Sequence, residues 1–527
     1  MGRDGGHGGG IATLAPMPAP ARTSDATGSE PVTTATPARD RRRRDTVLLV
    51  FALLALAAVL RIPTFSNQVF NSDEAYLATQ AEVLQGGGRL YVDTTDRKPP
   101  IVPYLYTAVF AVTGTHDLGP VRVVALLAQV ATALLLAAEA RRRFRWRHAA
   151  WLAGVLYLLA ATAFRPPDSQ AANFEVFMLP VMTAAFVLAV RERTAWSGVA
   201  LAVATLTKQT AAVALLPLAF LAWQRRRARG LLTLALSFAL PIVAVALAFG
   251  FDRFMFWVFT GNGGYLDASG IWSYVAALGA RQTGWFLFGE AALVLLLVPA
   301  VRRWRDDVDL WLWLASGFVA VFTGLRFFPH YYLQLLPPLV LLGVGGLTMV
   351  PVRARNWVAV GAVVVACATC GYFVRSAFTD GNTRDSQVAI DVGRYLGAHV
   401  APSQHVLVWG QAPEAYWTSD RTPATRFATT GFVTGTSGGR PPWRVGVQYA
   451  VPGAWDDFMH DLAAHPPALI ANMSSANQRQ GSHYPPSKYP RFADYLRRGG
   501  WHVVDTVDGV QILAPRASAG NAAGNAS

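Results

Sequence analysis

Asn71-Ser-Asp-Glu-Ala-Tyr76 and, a little further on, Asp93-Thr-Thr-Asp-Arg-Lys-Pro-Pro100 frame the stretch whose reading decides the fold. It follows directly on the first strongly apolar run. Two adjacent carboxylates (Asp73, Glu74), two further acids (Asp93, Asp96) and two cations (Arg97, Lys98) fall inside it. A polar segment of this kind beside a membrane span is either a solvated loop or the reactive face of an enzyme working at the membrane surface. The rest of the chain decides between the two.

Of the 527 residues, 53% are hydrophobic and 15% are charged, which is too apolar for a soluble protein of this length. Apolar runs of about 15–25 residues recur, the length that crosses a bilayer. The formal charge of +14 comes from 46 Lys and Arg against 32 Asp and Glu. The arginines gather in short clusters between apolar runs, so the charge reads as the positive-inside pattern and not as a nucleic-acid footprint. Cys367 and Cys370 both lie in an apolar run and read as packing residues, with no disulfide framework implied.

Residues 1–38 are rich in Gly, Ala, Pro, Ser and Thr and are expected to be disordered. The run Arg39-Asp-Arg-Arg-Arg-Arg44 then places residues 1–46 in the cytoplasm as a tail before an uncleaved first span at 47–64. Basic clusters at 39–44, 141–147, 191–193, 225–229, 302–305 and 353–355 are assigned to the same side. The spans between them then number about eleven: 47–64, 119–140, 149–163, 174–190, 195–207, 209–223, 230–250, 284–301, 310–325, 332–350 and 356–375. The apolar run 100–114 is short and reads as a helix lying in the interface. This scheme makes 47–375 a transmembrane domain with a first outer loop at 65–118. Loops 164–173, 251–283 and 326–331 lie on the same face.

Residues 376–527 change character. Helical patterns at 384–399, 454–464 and 490–498 alternate with strand patterns at 405–409, 467–471, 502–506 and 510–514. The expectation is a small extracytoplasmic α/β domain with a frayed end. Gly343-Val-Gly-Gly346 lies inside a span and reads as a helix-packing surface rather than a nucleotide loop. No internal repeat is evident.

The scheme puts Arg165, Asp168, Asn173, Glu175, Lys208, Gln209, Arg326 and His330 on the face that carries the opening stretch. Charges at span ends are costly unless they serve something. Acids there can supply a general base and an orienting carboxylate, while Lys98, Lys208 and Arg326 can neutralise a phosphate.

Asp73-Glu74 after the first span, Lys98-Pro-Pro100, Asn173-Phe-Glu175, Thr207-Lys-Gln209 and Phe328-Pro-His-Tyr-Tyr-Leu-Gln-Leu-Leu-Pro-Pro338 together resemble the GT-C glycosyltransferases. The branch resembled includes the protein O-mannosyltransferases and the lipid A aminoarabinose transferase (family 39, RgtA/B/C/D-like). The resemblance covers about residues 47–350. It implies a polytopic α-helical enzyme that takes a sugar from a polyprenyl phosphate and passes it to a protein, glycan or lipid acceptor on the outer face, with inversion. It further implies Asp73, Glu74 and Glu175 as catalytic acids, Asp73 being the general base and Glu74 the neighbour that orders the loop. Lys98 matches a lysine that contacts the lipid phosphate, and Arg97, Lys208, Arg326 and His330 join it in the donor site. Where the aminoarabinose branch has an acid before the lysine, this chain has Arg97. That argues against a metal at this point, so no metal ligand is assigned and a divalent metal stays open as a cofactor.

Three alternatives stand beside this reading, one of them a non-catalytic membrane scaffold for envelope assembly, which would not need Asp73. Asp73 is also a favoured helix N-cap, which would give it a structural role. A transporter or flippase would share the apolar spans, but it would place charges near the bilayer midplane and show repeats.

Overall fold

Apart from Gly2, the computed structural model describes residues 36–262, 267–379, 383–476 and 483–516. Most of the expected disordered N-terminal stretch, and the frayed end beyond 516, lie outside the described residues. The chain divides into two compact units, Met1–Leu48 and Leu49–Ser527. Helix α1 (Thr36–Leu60) begins eleven positions before the expected span, so residues 36–46 of the expected tail are helical.

The helical region then runs α2 (Ile62–Ser66), α3 (Ser72–Gln85), α4 (Ile101–Thr113), α5 (Leu118–Arg143), α6 (Ala149–Ala160), α7 (Pro166–Ser169), α8 (Phe174–Val190), α9 (Thr194–Thr207), α10 (Leu215–Ala248) and α11 (Phe251–Val258). It continues with α12 (Trp272–Gly289), α13 (Ala291–Ala300), α14 (Val308–Thr323), α15 (Leu336–Leu347) and α16 (Val352–Thr379). Among the described residues, three helical stretches are long and apolar enough to cross a membrane: Leu118–Arg143, Gln209–Ala248 and Val352–Arg375. The bent pair around α12 and α13 makes a fourth if it counts as one span. Helices α4, α6, α8, α9 and α14 are apolar but shorter. The structure therefore places helices at the expected positions without establishing eleven crossings.

Three departures are local. The expected spans 209–223 and 230–250 form one long element, broken at Arg227, whose φ of 50° lies outside the helical region. The break falls inside the basic cluster 225–229. The expected span 284–301 straddles a bend of 80° at Glu290, between the end of α12 and α13. The described part of the expected loop 251–283 is largely helical, in α11 and the first two-thirds of α12. By contrast, α4 ends as its sequence suggests, with Gly114 in the left-handed region (φ 67°), where glycine has no Cβ penalty.

The tail contributes α17 (Thr383–His399), β1 (His405–Trp409), α18 (Pro413–Ser419), α19 (Gly431–Thr434), α20 (Ala454–Ala464), β2 (Pro467–Asn472), α21 (Pro490–Arg498), β3 (His502–Val507) and β4 (Val510–Ala514). The strands form one sheet in the order β1-β2-β4-β3. β1 and β2 are parallel, while β4 runs antiparallel to both β2 and β3. Trp409 is fully buried and stacks on Phe492 at 4.3 Å, joining β1 to α21. This tail packs within the same compact unit as the helices from Leu49 onward.

The Gly343–Gly346 segment lies in α15 against α13. A Cβ on Gly346 would sit 2.5 Å from the Leu296 carbonyl oxygen and 2.8 Å from the Ala300 nitrogen. That contact is with backbone, which cannot yield as a flexible side chain can. Gly346→Val is expected to destabilise the protein by about 1–3 kcal/mol through overpacking. Gly361→Val, where a Cβ meets nothing within 4 Å, should leave stability nearly unchanged. Thermal unfolding of the detergent-solubilised variants checks the difference.

Candidate active site

Helix α3 starts at Ser72 because Asn71 caps it. The Asn71 side chain accepts from the Asp73 N–H at 2.8 Å while its own backbone stays extended. The capping alternative for Asp73 is thereby overturned. Asp73 sits in the first turn, half-buried, where a carboxylate complements the helix dipole.

Glu74, one residue on, points into the protein and is fully buried. Arg122 of α5 grips it through Nη2 at 2.7 Å and Nε at 3.0 Å, and the Ala172 N–H donates to its other oxygen at 2.8 Å. Arg122 also donates to the carbonyls of Asn67 and Gln68. Arg61, fully buried as well, feels the Glu74 charge and donates to the Gln170 carbonyl at 2.6 Å. Tyr106 Oη donates to Ala172 O and Asn71 Nδ2 to Pro167 O. The segment 164–173 is thus held against α3 from several directions, which fixes Asp168 and the start of α8.

Around Glu175 three cationic side chains converge. Lys208 forms an ion pair with it, His330 Nε2 lies 3.8 Å away, and Lys98 acts on the same carboxylate. Lys208 is available because α9 stops at Thr207 and residue 208 turns extended. Its ammonium lies over the Tyr331 ring at 4.2 Å, as Lys98 lies over Phe174 at 4.3 Å. His330 receives Asp168 on its other side, with Nδ1 to carboxylate distances of 2.9 Å and the His330 N–H donating to Asp168 as well. Burial opposes the charged forms of both groups, but their mutual attraction outweighs it. The Asp168 carboxyl is held below its usual range and the His330 imidazole above its own.

The segment 96–98 joins this cluster to Asp73. The Gln209 side chain donates to Arg97 O, and Tyr91 Oη donates to Lys98 O. Arg97 stacks its guanidinium over Phe432 of the tail at 4.6 Å. Asp96 is buried, and burial pushes its carboxyl up despite the Lys98 charge. Asp93 instead faces solvent, paired with Arg89. Among the described residues, Asp96 Oδ2, both amide atoms of Asn173 and Glu175 Oε2 are buried without a hydrogen-bond partner. Such groups are costly unless a ligand or water engages them.

Arg326 is buried, and its Nη1 donates to Gly438 O of the tail. One acid beside Asp73 escaped the sequence reading. Glu414 opens α18 in the tail, is 3% exposed, and accepts a hydrogen bond from the Ser72 hydroxyl. Burial raises its carboxyl above the usual range, and the nearby Asp73 charge adds to the rise. The only sequence signal was an acid inside the aromatic stretch Trp409–Trp417.

The helical order places the chain in a fold shared with solved structures of ArnT and of an archaeal oligosaccharyltransferase. A family model described as dolichyl-phosphate-mannose-protein mannosyltransferase matches residues 97–249, which contain Arg97, Lys98, Glu175 and Lys208. The structure of ArnT from Cupriavidus metallidurans bound to undecaprenyl phosphate is similar, with a TM-score of 0.60 at 17% identity over 90% of this chain and 98% of that one. The Archaeoglobus fulgidus oligosaccharyltransferase is similar too, with a TM-score of 0.52 at 12% identity over 89% of this chain and 73% of that one. No curated protein matches the chain.

The Asp168–His330 pair has a defined pH signature. A histidine held above its free value stabilises the fold fully below that free value, and the contribution is lost as pH rises through the raised one. Asp168, held below its free value, contributes above that value and loses the contribution as pH falls through the lowered one. The melting temperature should therefore fall as the pH is raised through the histidine range. His330→Asn should flatten that high-pH limb, at a cost of about 1.5–3 kcal/mol below it. Thermal unfolding between acidic and alkaline buffers measures both.

Proposed function

We propose that the protein transfers a sugar from a polyprenyl-phosphate donor to an acceptor hydroxyl on the outer face of the membrane, inverting the anomeric centre. The observation that carries this is the convergence of Lys98, Lys208 and His330 around Glu175, with the unsatisfied Asn173 Nδ2 as a further donor and the Asp96 and Glu175 oxygens left as acceptors for sugar hydroxyls. A cluster of cations with a free donor suits a phosphate-linked sugar, since cations and hydrogen-bond donors stabilise the charge left on the departing phosphate. The family match over 97–249 and the fold shared with ArnT support the same reading.

Asp73 is the general base. An acceptor hydroxyl is a poor nucleophile until a carboxylate takes its proton as the new bond forms. The departing phosphate is stable as an anion, so no catalytic acid is required. Arg97 and Lys98 hold the donor phosphate, backed by the rigid Pro99-Pro100 turn. Lys208, Arg326 and His330 complete the donor site, and Glu175 aligns Lys208 and His330. Glu74 acts through the loop it anchors. The arrangement of charges at one end of the helices favours this over the transporter reading, in which they would line the midplane.

Asp73→Asn should lower the transfer rate by about 10²–10⁴-fold without loss of fold. Lys98→Ala should mainly raise the donor KM. Sugar transfer measured in membranes with a polyprenyl-phosphate donor tests both, and an Asp73→Asn protein of full activity would move the base elsewhere. The orientation is tested separately. Cysteines placed at the exposed positions Asp93 and Trp443 should react with an impermeant thiol reagent in intact cells. Protection of both would reverse the topology.

A further inference from the structure

A second group of ligating side chains lies apart from the residues assigned to sugar transfer. Glu82 comes from the last turns of α3, His116 from the turn between α4 and α5, and Asp420 from the residue that ends α18. One donor atom from each lies within 4.8 Å of the other two. We propose that these three residues form a divalent transition-metal site, best suited to zinc, that clips the tail onto the first polar loop.

The composition of the group selects the class of ion. One imidazole and two carboxylates form a donor set of the kind zinc uses, with water completing a tetrahedron. Calcium and magnesium prefer six or more oxygens, including waters, and gain little from a histidine nitrogen. Zinc bonds of 2.0–2.1 Å in a tetrahedron set donors about 3.3 Å apart, close to the 3.5 Å between Glu82 and His116, so the other spacings must contract by at most roughly 1.5 Å. His116 and Asp420 are exposed and can turn inward to do so.

The local electrostatics call for a cation. The Glu82 side chain is only 15% exposed, and its partner is the His116 ring at 3.5 Å. Among the described residues neither Glu82 nor Asp420 pairs with a lysine or arginine. Two carboxylates and an imidazole from three chain segments meet at this junction, where a bound dication would bridge them. The scaffold is already in place. The Trp417 indole donates to His116 O at 3.0 Å, and the Phe110 ring lies 5.4 Å from the imidazole. Because the ligands come from segments far apart in sequence, metal binding would favour the folded state.

The test uses the full-length protein in detergent, stripped with a chelator and desalted. Dialysis against micromolar zinc followed by elemental analysis should find one zinc per chain. Zinc should also raise the melting temperature, and calcium at the same concentration should not. His116→Ala and Asp420→Asn should each weaken zinc binding by at least about tenfold. Both positions are exposed, so melting of the chelated variants close to that of the chelated wild type would show that they fold. Absence of stoichiometric zinc, a melting shift with calcium alike, or zinc binding unaltered in both variants would overturn the site and leave a plain Glu82–His116 ion pair. None of these readouts depends on sugar transfer.

Discussion

The buried ion pair between Glu74 and Arg122 is the constraint on which the rest of the site depends. A carboxylate and a guanidinium out of water persist only with good geometry and with their remaining lone pairs and protons satisfied. Here Arg122 binds Glu74 through two nitrogens and two loop carbonyls besides, while Glu74 takes a third bond from the Ala172 amide. Breaking such a pair typically costs about 3–5 kcal/mol, because one charge is left buried and alone. The pair ties α3, α5 and the 164–173 segment into one piece. Asp73 is presented beside it because neighbours on a helix point about 100° apart, so burying Glu74 turns Asp73 toward the open side.

The second charged cluster is built on a different principle. Asp168, His330, Glu175, Lys208 and Lys98 alternate in sign, so each charge has an opposite neighbour. Their elements arrive from separate directions. Lys208 is released by the end of α9, Glu175 opens α8, and His330 lies in the short 3₁₀ turn before α15. The aromatic faces of Phe174 and Tyr331 seat the two lysine ammoniums beside the carboxylates.

The tail takes part in this region. Glu414 accepts from Ser72, Phe432 underlies Arg97, and Gly438 receives Arg326. Arg444 reaches Asp267 and the Ser269 carbonyl. A substitution in the tail can therefore act on the turn that carries Asp73 without touching the helical region.

The sequence by itself determined the elements that rest on local periodicity. The four tail strands and the helices at 454–464 and 490–498 follow the alternation of apolar residues, which has a fixed period of two or 3.6 residues. The resemblance carried by Asp73-Glu74 and Lys98-Pro-Pro100 led to the GT-C fold, because short motifs mark where polar groups are retained at the ends of apolar runs. Tertiary structure alone decided the rest. Neither the bend at Glu290 nor the break at Arg227 has a period to betray it, and the count of crossings depends on helix length in three dimensions. Asn71, not Asp73, became the cap, since the choice turns on a backbone angle. Glu414 meets Ser72 across 342 positions of sequence, and Asp168 meets His330 across 162. Contacts of that separation are set by how elements pack, which no local pattern encodes.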